Sequence, residues 1–193
     1  MLFLNWIINN FVFYGVGLRA NDLGMNPYLT FAIAALMELA AYIVTHFIVD
    51  KLGRKYPYFF FLLAAGISCL SITINIFDDD KQKIFVVIMA MIGKFFASAA
   101  YATIYMYSSE MFPTSIRNSC MGACSMMARI GSMVAPQINN LSDTTWKSLP
   151  YLIFGISGII GAFSSLVFSE TLNRNMPQNI EEAEDLSAFK YVF

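Results

Sequence analysis

Six stretches of about twenty apolar residues, at roughly 2–18, 28–49, 58–77, 84–107, 115–138 and 149–168, take up most of this 193-residue chain. In hydrocarbon no water is present to bond the backbone, so such a run folds as a helix that satisfies its own N–H and C=O groups. About twenty residues at 1.5 Å each cross a layer of ~30 Å. The sequence therefore predicts an all-α membrane protein of six transmembrane helices. Residues 1–170 form the membrane unit and 171–193 a polar tail. The composition agrees, with 58% hydrophobic and 13% charged residues. A soluble domain is nearer half apolar and a quarter charged.

Several classes of function are excluded at this point. Twelve basic against thirteen acidic residues leave no basic stripe for nucleic acid, so lipid and a small solute are the expected partners. Cys69, Cys120 and Cys124 are too few and wrongly spaced for a disulfide framework or a zinc site, and are expected as small buried residues. One histidine, no HExxH, no nucleophile elbow and no phosphate loop argue against an enzyme, and no cofactor or metal is implied. Met1 opens directly into the first span without a charged leader, so the chain is expected to be a piece of a longer protein, a partial gene model or an internal initiation.

The polar connections fall at 19–27, 50–57, 78–83, 108–114 and 139–148, and Pro27, Pro57, Pro113 and Pro150 stand where helices begin. With both ends on one side, Lys51, Arg54, Lys55, Arg117 and Arg174 oppose Arg19, Lys81, Lys83 and Lys147. That margin is too thin for the positive-inside rule to orient the chain. The sequon Asn140-Leu141-Ser142 lies too near the membrane to be read as more than chance.

Three spans carry an ionisable residue near the midpoint: Glu38, Lys94 and Arg129. An arginine there costs ~2.5–3.5 kcal/mol even on lenient insertion scales, so it is expected at a cavity, a partner charge or a solute. Lys94, Ser98, Tyr101 and Tyr105 share one helical stripe, as do Asn118, Gly122, Ser125, Arg129, Ser132 and Pro136. The second span presents Ala34, Glu38, Tyr42 and Thr45, and the first Trp6, Asn9, Asn10, Phe13 and Tyr14. Glu38 can neutralise only one of Lys94 and Arg129, which leaves an excess positive charge at mid-depth for an anion or a partner from elsewhere. Gly122, and Gly158 with Ala162, are expected as packing seams. His46 is read as a hydrogen-bonded structural residue, and Tyr28, Tyr58, Trp146 and Tyr151 as interfacial anchors.

The loops carry a resemblance. Asp50-Lys51-Leu52-Gly53-Arg54-Lys55 looks like the D-x-x-G-R-K/R loop of the major facilitator superfamily. Glu110-Met111-Phe112-Pro113-Thr114 followed by Arg117-Asn118 resembles the E-L-[FY]-P-T-x-x-R-N loop of its organic cation/anion/carnitine transporters (solute carrier family 22). Ser169-Glu170-Thr171-Leu172, Met176-Pro177-Gln178 and Ile180-Glu181-Glu182 are similar to that family's P-E-T-x ending, with Ser169 in place of proline.

The resemblance covers essentially all 193 residues and corresponds to the last six of twelve helices. It implies a C-terminal half built as a 3+3 inverted repeat, in the plasma membrane with both ends cytoplasmic. The missing partner is the N-terminal six-helix half. The implied function is transport of small organic ions by alternating access. Arg129, in Met127-Ala128-Arg129-Ile130-Gly131-Ser132, sides with anion and carnitine carriers, while Glu38, in Glu38-Leu39-Ala40-Ala41, matches an acidic position of cation and carnitine carriers. Together they imply an organic anion or a zwitterion such as a carnitine-like solute, with an organic cation next. The expected solute site is Arg129, Lys94, Glu38, Tyr101, Tyr105, Phe13 and Tyr14, and the expected cytoplasmic gate is Asp50, Arg54, Glu110, Arg117 and Glu170. The alternative is a non-transporting six-helix protein that partners or inhibits a full-length carrier. The tail from Asn179 resembles a capping box opening a short helix with a solvated acidic face.

Overall fold

The computed structural model describes residues 1–21, 27–74, 80–141, 148–168 and 170. These residues form six helices: α1 (Leu2–Asn21), α2 (Pro27–Leu52), α3 (Lys55–Ile74), α4 (Asp80–Met111), α5 (Arg117–Asn140) and α6 (Leu149–Ser165). No strand occurs among the described residues. Each helix falls on one predicted apolar stretch, but three of them, over Tyr28–Leu52, Lys55–Thr73 and Phe85–Met111, are long and apolar enough to cross a membrane by themselves. Leu149–Ser165 is apolar but shorter. The length of α1 and α5 suffices, yet amides in α1 and the amides, serines and Arg129 of α5 dilute their hydropathy.

The connections are shorter than the sequence pattern predicts because helices run past their apolar cores. Arg19 lies in the last turn of α1, and Ser108, Ser109 and Glu110 lie in α4 rather than in a loop. Bonds to other groups satisfy those polar residues. Trp6 Nε1 donates to Ser108 Oγ at 2.9 Å, and Ser109 Oγ donates to the Met106 carbonyl at 2.8 Å.

Helix α1 packs on α5, α6 and α4; α3 packs on α6 and α4; α2 packs mainly on α4. The core is layered along the bundle. Trp6, Tyr58, Leu62, Ile104 and Tyr107 fill the end at which α3 begins, Val12, Phe13, Ala97 and Phe154 the middle, and Ala34, Ile72, Met91 and Tyr151 the other end. The flanking helices turn large apolar side chains outward, with Phe31, Leu36 and Phe47 on α2 and Met126, Ile130 and Met133 on α5. Outward apolar faces on polar-cored helices are what lipid solvent demands.

Backbone approach explains two of the helix contacts. A Cβ at Gly131 of α5 would collide with the Ile7 carbonyl of α1, so only glycine lets these helices meet there. The Gly158–Ala162 seam is real: Ala162 is buried, and a Cβ at Gly158 would stand 3.3 Å from Gly66 Cα on α3. Gly122 is not a seam. It is exposed with nothing within 4 Å, because α5 packs through Cys124, Ala128, Gly131, Ala135 and Asn139 instead.

Other expectations are corrected as well. Tyr58 and Tyr151 are buried at 2% and 3% rather than placed as interfacial anchors, and the Tyr58 hydroxyl donates to Asn5 Oδ1. His46 makes no hydrogen bond among the described residues; its Nδ1 lies 3.7 Å from Asp50 Oδ2 on an exposed face. Tyr28 is exposed, as an anchor should be, and the three cysteines are free with Cys69 and Cys124 buried. Trp146, Lys147, Ser142, Ser169 and the tail from residue 171, including its capping box, lie outside the described residues.

Candidate functional site

Trp6, Phe13 and Gly17 share one stripe of α1 and face α4, which runs antiparallel: Trp6 bonds Ser108, whereas Phe13 and Gly17 meet Lys94. The Lys94 ammonium lies 3.4 Å from the centre of the Phe13 ring, and Gly17 leaves room for it. From α2, Glu38 Oε2 approaches Lys94 Nζ at 3.3 Å. The Tyr42 hydroxyl donates to Glu38 Oε1 at 2.7 Å. Desolvating an ammonium is expensive, and here the carboxylate and the ring face offset it together.

These groups border an apolar cavity of about 250 Å³, with Phe13, Tyr14, Phe31 and Ala34 among its walls and Glu38 and Lys94 as its charged pair. Tyr101 and Tyr105 adjoin it. Phe13 stacks on Tyr101 at 4.9 Å, Tyr101 meets Tyr105 edge-on at 5.1 Å, and Trp6 meets Tyr105 at 4.5 Å. An aromatic wall with one ion pair can hold a small amphipathic ion by its charge and its apolar body.

Of the seven residues expected at the solute site, the structure brings six together. Arg129 is separate. It is exposed on α5, does not line this cavity, and its guanidinium has no partner among the described residues. The stripe that carries it lies beside the buried small-residue seam, not on it. Tyr42, Trp6 and Gly17 were absent from the expected set. The four-residue step from Glu38 to Tyr42, and the shared stripe of Trp6, Phe13 and Gly17, were the available signals.

A second cluster forms where α2, α3, α4 and α6 end. Arg54 Nε and Nη2 both donate to Glu110 Oε1, at 3.0 and 2.8 Å, and Nη1 reaches the Val49 carbonyl at 3.4 Å. Glu170 does something the sequence did not suggest: its two oxygens accept the backbone N–H groups of Arg54 (2.9 Å) and Lys55 (3.2 Å). A carboxylate at a helix N-terminus satisfies orphan donors and opposes the helix dipole. Gly53 makes the turn with φ +89°, and a Cβ there would stand 2.8 Å from Glu170 Cδ. Arg117 Nε points at the Phe112 carbonyl at 3.4 Å, and the contact recorded for Asp50 is with His46. No group of residues among those described could hold a metal ion.

Comparison with known proteins agrees with this architecture. The family model described as Major Facilitator Superfamily matches residues 1–192. The chain is 36% identical to the "Organic cation transporter protein" of Drosophila melanogaster over 185 residues, which is 96% of this chain and 33% of that protein. It is 35% identical to "Solute carrier family 22 member 15" of Xenopus tropicalis, covering 92% of this chain and 34% of the relative. Against the "Carcinine transporter" of Drosophila melanogaster identity is 30%, over 96% of this chain and 27% of the relative. The chain thus spans about a third of the length of the curated relatives it matches.

Proposed function

The chain belongs to the major facilitator superfamily, a multi-pass membrane family, and we propose that it supplies the C-terminal half of a carrier for small organic ions. In this reading the six helices are two inverted three-helix repeats. The packing supports it. Exchanging α1 with α4, α2 with α5 and α3 with α6 turns the α1·α5 contact into α4·α2 and the α1·α6 contact into α4·α3, and all four are major contacts. The antiparallel run of α1 and α4 is what inversion requires. Under the same exchange Glu38, eleven residues into α2, corresponds closely to Arg129, twelve into α5.

The carrying observation is the Glu38–Lys94 pair in an aromatic-walled cavity, with the Arg129 guanidinium unpaired among the described residues on a flanking helix. The favoured solute is an organic anion or a zwitterion. A zwitterion gives Glu38 a cation and Lys94 a carboxylate, and Arg129 adds a surplus positive charge facing the partner half. The relatives named for organic cations keep a cation as the rival solute. The Arg54–Glu110 and Glu170 cluster, with Asp50 and Arg117 beside it, is read as the cytoplasmic latch of a plasma-membrane carrier with both ends inside, opening and closing by alternating access.

The test is uptake by the intact carrier in proteoliposomes of carnitine, para-toluenesulfonate and tetraethylammonium, a zwitterion, an anion and a cation. Carnitine and the sulfonate should be preferred, and Arg129→Asp should shift preference to tetraethylammonium. Unaltered selectivity in that variant overturns the solute assignment.

A further inference from the structure

The Glu38 carboxylate is shared unequally between its two partners. Its bond from the Tyr42 hydroxyl is 2.7 Å, within the range of a charge-assisted O–H···O⁻ bond. Its approach to Lys94 Nζ is 3.3 Å, longer than the ~2.7–2.9 Å of a well-made N⁺–H···O⁻ bond. Glu38 is thus seated on Tyr42 and only in charge contact with Lys94.

The two charges have their seats on different helices. Glu38 and Tyr42 are one turn apart on α2, so their bond travels with α2 whatever α4 does. Lys94 on α4 has a seat of its own, the Phe13 ring of α1, whose centre is 3.4 Å away. Among the described residues Tyr42 has no second hydrogen-bond partner, and the titratable groups of other helices that face it are Tyr14 of α1 and Tyr105 of α4. Tyr42 is not a wall of the cavity that Glu38 and Lys94 line, so it acts on that cavity through Glu38.

We infer that Tyr42 is a positioning residue: it holds Glu38 as a displaceable occupant of Lys94, and so sets how readily the site takes the anionic group of a solute. This deepens the organic anion or zwitterion reading above and rests on it. Glu38 Oε2 stands where a carboxylate or sulfonate of the solute must arrive. The incoming group takes the Lys94 ammonium, and Glu38 falls back on the Tyr42 hydroxyl. Opening a buried ion pair is costly chiefly because one charge is stranded. Here neither is: Lys94 gains the solute and keeps its ring, and Glu38 keeps its hydroxyl. The freed carboxylate oxygen then faces the cationic group of a solute that carries one. Without the hydroxyl, Glu38 closes on Lys94 in the empty site and lies unbonded in the filled one. Both changes weaken anion binding.

The experiment measures equilibrium binding of radiolabelled para-toluenesulfonate to the intact carrier purified in detergent, a readout that does not depend on turnover. Tyr42→Phe should weaken binding about three- to tenfold, the strength of a hydrogen bond to a charge discounted for partial exposure. Glu38→Gln removes the competing charge and should tighten binding. Tyr42→Phe added to Glu38→Gln should then change nothing, whereas a tyrosine that only supports the helix acts equally in both backgrounds. Glu38→Ala repeats the cycle with a second side chain, so that a local disturbance by the amide does not decide it. An effect of Tyr42→Phe below about twofold, a gain in affinity, or a loss of the same size with and without Glu38 overturns the inference alone. So does the failure of both Glu38 variants to tighten binding. A parent carrier that does not bind the sulfonate removes the anion from the solute reading, and the inference with it.

Discussion

The mid-depth pair and the cluster at the Gly53 turn bury their charges to similar degrees but bond them very differently. Lys94 and Glu38 side chains are 9% and 30% exposed, and Arg54 and Glu110 are 14% and 16%. Lys94 has three donors, yet it finds one carboxylate oxygen and a ring face. Arg54 places two donors on one Glu110 oxygen, and Glu170 occupies two backbone N–H groups. Among the described residues the first arrangement leaves donors unfilled next to a cavity, which suits exchange with a solute. The second is closed on itself, which suits a latch. On the proposed reading, spare hydrogen-bonding capacity rather than depth separates a solute-binding charge from a structural one.

The largest effect that would break this comparison comes from Lys94→Met. It strands Glu38 without its counter-ion and should cost about 3 kcal/mol, the low end for a broken buried pair because Glu38 is partly exposed. A thermal melt of the detergent-solubilised protein reads it, and adding Glu38→Gln should recover most of the loss. A single variant as stable as the parent would mean the pair is not what holds α2 to α4. Next, Arg54→Ala removes two charge-assisted donors from Glu110 and should cost about 1.5–2 kcal/mol in the same melt.

Gly53→Ala forces a side chain into positive φ against Glu170 and should cost about 1–2 kcal/mol. Combining it with Glu170→Ala should give less than the sum, since the contact counts only once; full additivity would detach Glu170 from the turn. The smallest change is Phe13→Leu, which keeps apolar volume but removes the ring face over Lys94. About 0.5–1 kcal/mol should be lost. A double-mutant cycle of Phe13→Leu with Lys94→Met isolates that term, and zero coupling would remove the ring from the account of Lys94 burial.

Much of this was legible in order along the chain. Periodicity placed Lys94, Tyr101 and Tyr105 on one face of α4, and the count of charges required Glu38 to choose between two cations. The choice itself was not legible, because it depends on α2 lying against α4 while α5 lies against α1. Arg129 could not be excluded from the cavity by pattern, since its stripe is as polar as that of Lys94. Gly122 and Gly131 look alike in sequence; only the approach of α1 tells which one is needed. Glu110 reads as a loop residue in sequence because polarity signals a connection, and the bonds of Ser108 and Ser109 that carry α4 past it are not visible in its own segment.

The sequence by itself determined the helical membrane class, the positions of six helices and the superfamily, because hydrocarbon forbids open backbone and the loop motifs are local. Tertiary structure decided which charges meet, which glycines are indispensable and that Glu170 caps α3. Those depend on contacts between residues more than a hundred positions apart, as Glu170 is from Arg54 and Gly131 from Ile7, and such contacts are set by how whole helices pack rather than by any one segment's composition.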